Sequence, residues 1–352
     1  MRTDILYFVF PFSVTLEKGS GVERYSYDLL HNLQNSKYSI RTISKPSGSK
    51  IEKYLETITR TPLNTLMTKA KVYHAVSPYS SRFLFAAGKK PVLTSVHDII
   101  YLEWQQESPD FFERRREKYN VMAIRRSDKL IVPFQFTRNK ILETFYIDDD
   151  KIRVVNYGIN LSRYYIKSED PTQRKYSYDV IFIGGVNPLS RGGETVIKTY
   201  AELLNLNPTL KLCFSGKGDQ MDSIKKLSIK LGISEKVFWK NFIPEVEFPT
   251  FLNSAKVFFY PSKMGFSYLM MQAMATGVPL VTSNVFDIPE FVKDSALTGD
   301  PDDYECFTKH ILHLLEEQNF RVKKIEDSFR VINNYSPERM AAETFRIYSE
   351  YM

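Results

Sequence analysis

Two segments of the chain place a cation among glycines at the point where an apolar run gives way to a helix-like stretch. FIGGVNPLSRGGETV contains Gly185 and Arg191, and LCFSGKGDQ contains Lys217 between two glycines. Unpaired backbone N–H groups and the positive end of the helix dipole converge at such a point, so a diphosphate could bind there. For the Lys217 segment, a plain strand–turn–helix connection explains the pattern equally well.

Two further segments, both in the first half of the chain, could also carry chemistry. EKGSGVERYSYDL places Gly21 at the start of a helix-like stretch, where it could receive a phosphate or an acceptor hydroxyl. A flexible turn explains Gly-Ser-Gly equally well. TSVHDII places His97 at the end of a strand. A histidine there can act as an acid or base, donate a hydrogen bond to a substrate, or be satisfied inside the fold.

The segment YPSKMGFSYLMMQAMATGVPLVTSN combines several features in order over a short span. Gly265-Phe266-Ser267 opens a helix at about 267–276, and Gly277 closes it before the next strand. This helix would aim its unpaired N–H groups and positive dipole at the end of the preceding strand. The segment therefore predicts a second place where an anionic ligand could bind.

The elements that must position these residues alternate between apolar runs of strand length and amphipathic runs of helix length. This alternation is typical of βαβ units, and two Rossmann-like, doubly wound α/β domains explain it best. We predict a first domain over residues 1–165, a second over 166–335, and a helix over 336–352 that packs back on the first. A polar stretch around 156–178 marks the connection between the domains.

The composition is that of an ordinary folded protein. The chain has 352 residues, of which 43% are hydrophobic and 25% charged, and its mean hydropathy is −0.30. These values exclude disorder, collagen and a membrane bundle. The longest apolar runs stop well short of the roughly 18 residues that a membrane span needs, and MRTDILYFVF lacks a cleavage site, so we expect a cytoplasmic protein. Cys213 and Cys306 have no Cys-x-x-Cys spacing, which predicts neither disulfide nor structural zinc.

The net charge of +7 is concentrated in the first half, where residues 1–165 carry +9 and the remainder −2. No nucleic-acid motif accompanies this charge. Basic residues recur at helical spacing in one segment, namely Arg114, Arg115, Arg116, Lys118, Arg125, Arg126 and Lys129. They form either a plain solvated helix face or a surface that rests on an anionic membrane or a phosphate-bearing acceptor.

Taken in order, GSGVERY, TSVHDII, FIGGVNP, SGKGDQ and GFSYLMMQAMATGVPLVTSNVFDIPEF resemble the retaining glycosyltransferases of family 4. Members have the GT-B fold, in which two Rossmann-like domains face each other across a cleft, and the resemblance covers nearly the whole chain. It implies transfer of a hexose from a UDP- or GDP-sugar to a saccharide or lipid-linked glycan with retention of configuration. It implies no cofactor and no metal, because a helix dipole, backbone N–H groups and Arg191 could neutralise the leaving diphosphate.

The resemblance also implies roles for individual residues. His97 would approach the transferred sugar and Arg191 the diphosphate, so these two are the predicted catalytic residues. The predicted donor-binding residues are Gly21, Gly185, Arg191, Lys217, Gly265, Phe266, Ser267, Gln272 and Glu290. The second domain would hold the nucleotide and the first the acceptor.

The chain departs from the family at three positions that matter for the donor. Members usually carry two glutamates with seven residues between them, and these two positions are Met264 and Gln272 here. Gln272 can still bind a ribose hydroxyl, but Met264 cannot bind a sugar hydroxyl. The family's diphosphate-binding Arg and Lys fall on Gly185 and Arg191, so one cation is lost, and Lys217 is a candidate replacement.

Three other functions compete with this prediction. A degenerate GT-B protein acting as a binding or partner subunit of an active glycosyltransferase would also lack the glutamates. A Rossmann oxidoreductase is disfavoured because no dinucleotide fingerprint follows any strand. A nucleotide-sugar epimerase would need a set of carboxylates that the sequence does not provide. For the glycosyltransferase we also expect peripheral membrane association through the basic first half.

Overall fold

A computed structural model of the chain describes residues 3–9, 21–34, 38–44, 59–99, 111–165, 176–185, 192–241, 243–244 and 246–352. Its contacts divide the chain into two compact units. Unit 1 comprises Met1–Gly158 and Tyr335–Met352, and unit 2 comprises Ile159–Asn334. Each unit has its own parallel sheet and core.

Unit 1 is built on a parallel sheet whose six described strands run in the order β2-β1-β3-β4-β5-β6. Their middle positions are buried and apolar because helices cover both faces of such a sheet. The strands are β1 (Thr3–Phe8), β2 (Ile40–Ile43), β3 (Ala70–Ala75), β4 (Val92–Ser95), β5 (Lys129–Val132) and β6 (Ile152–Val154).

The described helices of unit 1 lie on the two faces of this sheet. They are α1 (Gly21–Gln34), α2 (Arg60–Met67), α3 (Pro78–Ala86), α4 (Phe111–Arg126), α5 (Gln135–Phe145) and, at the carboxyl terminus, α13 (Pro337–Ser349). The connections from β2 to β6 all advance in one direction across the sheet, whereas α1 leads the opposite way. Because crossovers are right-handed, α2, α3, α4 and α5 share one face, and α1 lies on the other, where α13 contacts it.

Unit 2 repeats this architecture with six described strands in the order β12-β11-β10-β7-β8-β9, all parallel. The strands are β7 (Tyr178–Gly185), β8 (Leu212–Lys217), β9 (Val237–Lys240), β10 (Ala255–Tyr260), β11 (Leu280–Ser283) and β12 (Leu297–Gly299). The chain builds outward from β7 to β8 and β9, then returns to β10 on the other side. The ends of β7 and β10 therefore mark the topological switch point, where such sheets bind ligands.

The helices of unit 2 begin at this same edge or pack behind it. Those described are α6 (Gly193–Leu206), α7 (Met221–Lys230), α8 (Phe248–Asn253), α9 (Tyr268–Ala275), α10 (Glu290–Ser295), α11 (Tyr304–Glu316) and α12 (Gln318–Ile332). The predicted pair of Rossmann-like, doubly wound domains is confirmed by the two sheets and their flanking helices.

The boundaries of the units differ from those predicted at residues 165 and 335. A Cβ on Gly158 would lie 2.4 Å from the backbone of Pro337, so residue 158 packs against the start of α13 inside unit 1. Beyond it, the carbonyl of Tyr165 accepts a hydrogen bond from Asn253, and the Tyr164 hydroxyl contacts Gln272. Residues 159–165 therefore belong with unit 2, which the polar composition of this stretch did not reveal.

The composition led to predictions about membrane-spanning helices and about the two cysteines. Within the ranges that the structure describes, no helix combines the length and apolar character needed to cross a bilayer. Cys213 and Cys306 are both free thiols. Burial raises the pKa of the Cys213 thiol to about 11, so that thiol stays protonated at neutral pH.

Candidate functional site

Glycine backbones meet side by side where β7 and β8 end. A Cβ on Gly216 would lie 2.6 Å from the carbonyl oxygen of Gly184, closer than a real Cβ approaches an oxygen. In the register of the two strands, Gly185 lies opposite Lys217, whose side chain is exposed. The β7 end at position 185 therefore has no side chain, and the neighbouring strand presents a cation there.

The start of α6 lies against the end of β10. Gly192 precedes the helix with a φ of +79°, and a Cβ there would lie 1.9 Å from the carbonyl oxygen of Pro261. Only glycine fits this position, since both the left-handed backbone and the close contact exclude a side chain. The unpaired N–H groups of the first turn of α6 are thereby held beside the switch point. The predicted catalytic Arg191 lies just outside the described residues.

The loop between β10 and α9 is organised by its own hydroxyl groups and by one carboxylate. Ser262 Oγ accepts a hydrogen bond from the N–H of Met264 at 3.1 Å, and Ser267 caps α9 by accepting from Leu269. Gly265 has a φ of +75°, and a Cβ there would lie within about 2 Å of the carboxylate of Asp287. The helix start predicted at residues 265–267 is therefore present, and its glycine is required by a contact from β11–α10 that the sequence did not indicate.

The two positions that replace the family's glutamates differ in environment. Met264 is half-buried in the loop. Gln272 lies inside α9 with 1% of its side chain exposed, and its Nε2 donates to the hydroxyl of Tyr164 at 2.5 Å. With one N–H of its amide donated to Tyr164, Gln272 keeps its second N–H and its amide oxygen for the predicted ribose contact.

The remaining donor-side residues lie at helix starts. Glu290 is the first residue of α10 and is exposed. Phe266 is half-buried, with its ring 6.4 Å from that of Phe291. In unit 1, Gly21 is the first residue of α1 and is exposed, and a Cβ there would meet nothing within 4 Å. Gly21 therefore leaves room for a ligand near the helix start without being required by packing.

His97 follows β4 and is bound by the protein through both ring nitrogens. Its Nε2 lies 2.8 Å from the carbonyl oxygen of Val76, and its Nδ1 lies 2.9 Å from the hydroxyl of Tyr157. A carbonyl only accepts, so Nε2 carries the proton and Nδ1 accepts from Tyr157. Burial lowers the pKa of His97 to about 4, which keeps the ring neutral at neutral pH. An approach of His97 nitrogens to a substrate requires one of these bonds to break.

A second buried histidine, which sequence reasoning missed, extends this cluster. His74 on β3 is fully buried, with Nδ1 2.6 Å from the Tyr348 hydroxyl of α13 and Nε2 2.8 Å from Ser95 Oγ. Ser95 Oγ in turn lies 3.1 Å from the Tyr25 hydroxyl, and the Tyr25 ring meets the His97 ring edge-on at 4.6 Å. Burial lowers the pKa of His74 to about 3. The available signal was a histidine inside the apolar run KVYHAV.

The described residues contain no group of three or more His, Cys, Asp or Glu side chains placed to hold a metal ion. Besides the carboxylates of Asp287 and Glu290, the polar groups described at the strand ends of unit 2 are backbone N–H groups, hydroxyls and the Lys217 side chain. Such groups bind anions, and phosphates in particular.

Two family models match this chain in adjacent regions. Residues 19–163 match Glycosyltransferase Family 4, and residues 167–330 match Glycosyl transferases group 1. The first region lies almost wholly in unit 1 and the second in unit 2. Each doubly wound unit therefore corresponds to one of the two matched regions.

Curated relatives carry related descriptions. The chain is 25% identical over 292 residues to the O-antigen chain mannosyltransferase B of Escherichia coli, across 80% of this chain and 74% of the relative. It is 24% identical over 241 residues to the D-inositol 3-phosphate glycosyltransferase of Corynebacterium efficiens, across 64% of this chain and 57% of the relative. The chain thus spans less than two thirds of the second relative's length.

Solved structures share the fold at lower identity. Sucrose-phosphate synthase from Thermosynechococcus elongatus superposes with a TM-score of 0.80 at 15% identity, covering 99% of this chain and 98% of that one. HepE of Anabaena, solved in complex with UDP and glucose, gives a TM-score of 0.74 at 13% identity, covering 99% of this chain and all of HepE.

The two parallel sheets, the strand-end sites and these similarities define a glycosyltransferase of the GT-B fold. Within that class the chain is of the family 4 type, since the Family 4 match is followed directly by the group 1 match.

Proposed function

We propose that this protein transfers a hexose from a UDP- or GDP-sugar to a saccharide or lipid-linked glycan, with retention of configuration and without a metal. The observation that carries the proposal is the edge of unit 2, where the start of α6, the glycine ends of β7 and β8 and the Lys217 side chain converge. This combination of backbone N–H groups and a cation suits the diphosphate of a nucleotide sugar.

Lys217 takes over the charge that the family places at position 185. Support comes from the strand register, in which Gly185 lies opposite Lys217, and from the space around Gly185, where a Cβ would meet only the Lys217 carbonyl oxygen, at 3.9 Å. The Lys217 side chain is exposed at the end of the neighbouring strand, where we expect its ammonium to lie beside this space. Arg191, which precedes α6 by two residues, supplies the second cation.

Departure of the diphosphate is the step that these groups assist. The bond between the anomeric carbon and the diphosphate oxygen breaks, and negative charge develops on that oxygen. Two cations and the N-terminal dipole of α6 stabilise this charge without reorganisation, which is the largest contribution expected in such a site. The acceptor hydroxyl then attacks on the face that the diphosphate leaves, which retains the configuration, and the departing phosphate takes the hydroxyl proton.

The acceptor belongs to unit 1 in this proposal. Support comes from the basic surface of α4, where Arg114, Lys118 and Arg125 are exposed. The relative from Escherichia coli is described as an O-antigen chain mannosyltransferase, and WaaG, with a TM-score of 0.70, as a glycosyltransferase involved in lipopolysaccharide biosynthesis. A glycan carried on a lipid at the cytoplasmic face of a membrane fits both the charge and these similarities.

A non-catalytic partner subunit is the second candidate, and the environment of Gln272 favours it. A neutral amide bound to Tyr164 replaces one carboxylate, and the thioether of Met264 replaces the other. A site with both changes could bind the nucleotide without binding the donor sugar. The two candidates differ in what they predict for nucleotide-sugar binding.

Calorimetric titration with UDP, GDP and their hexose conjugates, without added metal, separates the candidates. We expect micromolar binding of one nucleotide sugar, tighter than its free nucleotide, followed by transfer when an acceptor is supplied. Absence of binding across the panel, or equal binding of a nucleotide and its hexose conjugate, would favour the partner subunit. In the active enzyme, Arg191→Ala should lower turnover about 100- to 1,000-fold, because one charge-stabilising donor is removed. Unchanged turnover would remove Arg191 from the mechanism.

A further inference from the structure

Helix α2 of unit 1 has its polar and apolar sides reversed. Leu63, Leu66 and Met67 are 54%, 60% and 70% exposed, whereas Thr61 and Thr65 face inward at 5% and 1%. A helix on the surface of a globular protein normally buries its large apolar side chains and exposes its polar ones. Three large apolar side chains at helical spacing on one outer face form a patch of the kind that marks an interaction site.

Hydrogen bonds satisfy the inward hydroxyls of α2 and tie the end of the helix to Lys89. Thr65 Oγ1 donates to the carbonyl of Thr61, and Thr68 Oγ1 donates to the carbonyl of Asn64, both at 2.7 Å. At the carboxyl end of the helix, Lys89 Nζ donates to the carbonyls of Leu66 and Thr68 at 2.8 Å each. The hydroxyls of Thr65 and Thr68 are therefore satisfied by the backbone of the helix, and Lys89 holds its carboxyl end in place.

From the start of α2 to the end of β4, the charged side chains are all basic. Residues 57–97 contain six Lys and Arg and no Asp or Glu. One of them, Lys71, is paired with Asp4 at 3.0 Å, but Lys69, two residues after α2, and Lys90, next to Lys89, are exposed. The same face of the sheet holds α3 and α4, where Lys118 and Arg125 are exposed.

We propose that α2 is a membrane-docking element that inserts Leu63, Leu66 and Met67 into the interface of an anionic lipid bilayer. Exposed apolar side chains followed in the chain by exposed lysines match a bilayer surface, where acyl chains lie beneath anionic headgroups. A second copy of this chain would bring two surfaces of equal positive charge together, which disfavours self-association. This proposal goes beyond glycosyl transfer, and it holds whether or not the chain is catalytic.

Vesicle sedimentation tests the proposal without donor or acceptor. The wild-type protein should bind vesicles of phosphatidylcholine and phosphatidylglycerol and bind pure phosphatidylcholine more weakly. The triple variant Leu63→Ser/Leu66→Ser/Met67→Ser should bind about tenfold or more weakly, because apolar area is lost from the interface. Lys69→Gln and Lys90→Gln should each cost about fivefold, and less at high salt.

The matched control changes exposed apolar residues of unit 2. Leu206 and Val246 are 65% and 82% exposed, so Leu206→Ser/Val246→Ser removes similar surface from outside the patch. This control should bind vesicles like the wild type, and thermal unfolding should show that both variants remain folded. Equal binding by the triple variant and the control, or no binding by the wild type, would overturn the proposal.

Insertion depth provides a second readout. In Leu66→Trp, brominated lipids should quench the added fluorescence, whereas in Leu206→Trp they should not. Absence of quenching at position 66 would show that α2 does not enter the bilayer. Concentration-dependent dimerisation that Leu66→Ser abolishes would assign the patch to a second copy and would equally contradict the proposal.

Discussion

The carboxyl ends of the two sheets differ in the groups that line them. In unit 1, His74, Ser95, Tyr25 and His97 form a cluster in which side chains bond to side chains. In unit 2, the corresponding edge consists largely of glycine backbone and the N-termini of helices. Among the described residues, one edge is filled by side chains and the other is lined mainly by backbone.

This difference separates two ways of making a site. Backbone N–H groups at a glycine-rich edge bind phosphates directly. Function there depends on a close approach between the phosphate and the backbone. The histidine cluster of unit 1 depends on burial and on bonds between distant residues, since Tyr348 lies 274 positions from His74. Unit 1 should therefore be sensitive to pH and to loss of single hydroxyl groups, and unit 2 to added side-chain volume.

The largest expected effect is acid destabilisation of unit 1. The folded pKa values of His74 and His97, about 3 and about 4, lie below the ordinary 6.5 because of burial. The unfolded state therefore binds more protons in this range, and stability is full above pH 6.5 and lost as the pH falls towards 4. The loss should reach about 3 kcal/mol for each histidine.

Hydrogen exchange followed by mass spectrometry can resolve this effect by unit. Peptides from β3 and β4 should lose protection on acidification earlier than peptides from β7 and β10. The variant His97→Gln should lower the number of protons that unit 1 takes up on unfolding by about one. The free energy of unfolding should therefore depend less steeply on pH. Equal slopes in the two units would contradict the contrast drawn between them.

Adding one methyl group should disrupt unit 2. Gly265→Ala combines a left-handed backbone with a clash against the Asp287 carboxylate, so it should cost about 2–4 kcal/mol and weaken nucleotide binding. Gly232 has a similar φ of +70° and open space around its Cβ position. The control Gly232→Ala should therefore cost only about 1 kcal/mol in urea unfolding. Similar losses of unfolding free energy in both variants would show that the clash with Asp287 contributes little.

Loss of one hydroxyl should weaken unit 1. Tyr348→Phe leaves His74 Nδ1 buried without its partner, which should cost about 1–3 kcal/mol. Tyr351→Phe makes the same change three residues later, outside the cluster, and should cost less than about 0.5 kcal/mol. Chemical denaturation of the two variants measures the difference. If the two variants unfold alike, the bond between α13 and β3 contributes little.

The smallest effect concerns a single exposed charge in unit 2. Lys217→Ala should weaken nucleotide-sugar binding about tenfold, because the ammonium opposite Gly185 is lost. Lys211 is exposed just before the same strand, at its opposite end, so Lys211→Ala should bind like the wild type. Calorimetry on both variants makes the comparison. Unchanged binding by Lys217→Ala would favour the alternative interpretation, in which that segment is a plain strand–turn–helix connection.

Much of unit 2 could be predicted because its features are local in sequence. Glycines next to a strand or a helix start require only a few consecutive residues, and Gly265-Phe266-Ser267 does open a helix. The bond between Gln272 and Tyr164 was missed since the two residues are 108 positions apart. The same holds for the Asp287 carboxylate against Gly265, which no spacing rule indicates.

The sequence by itself determined the alternation of strands and helices, the two doubly wound units and the location of the strand-end segments, because periodicity and glycine placement act over short distances. Only the tertiary structure decided that both nitrogens of His97 are engaged, that Lys217 faces Gly185 and that α2 exposes its leucines. Each of these depends on which distant residues the fold brings together, and on how much water that packing excludes.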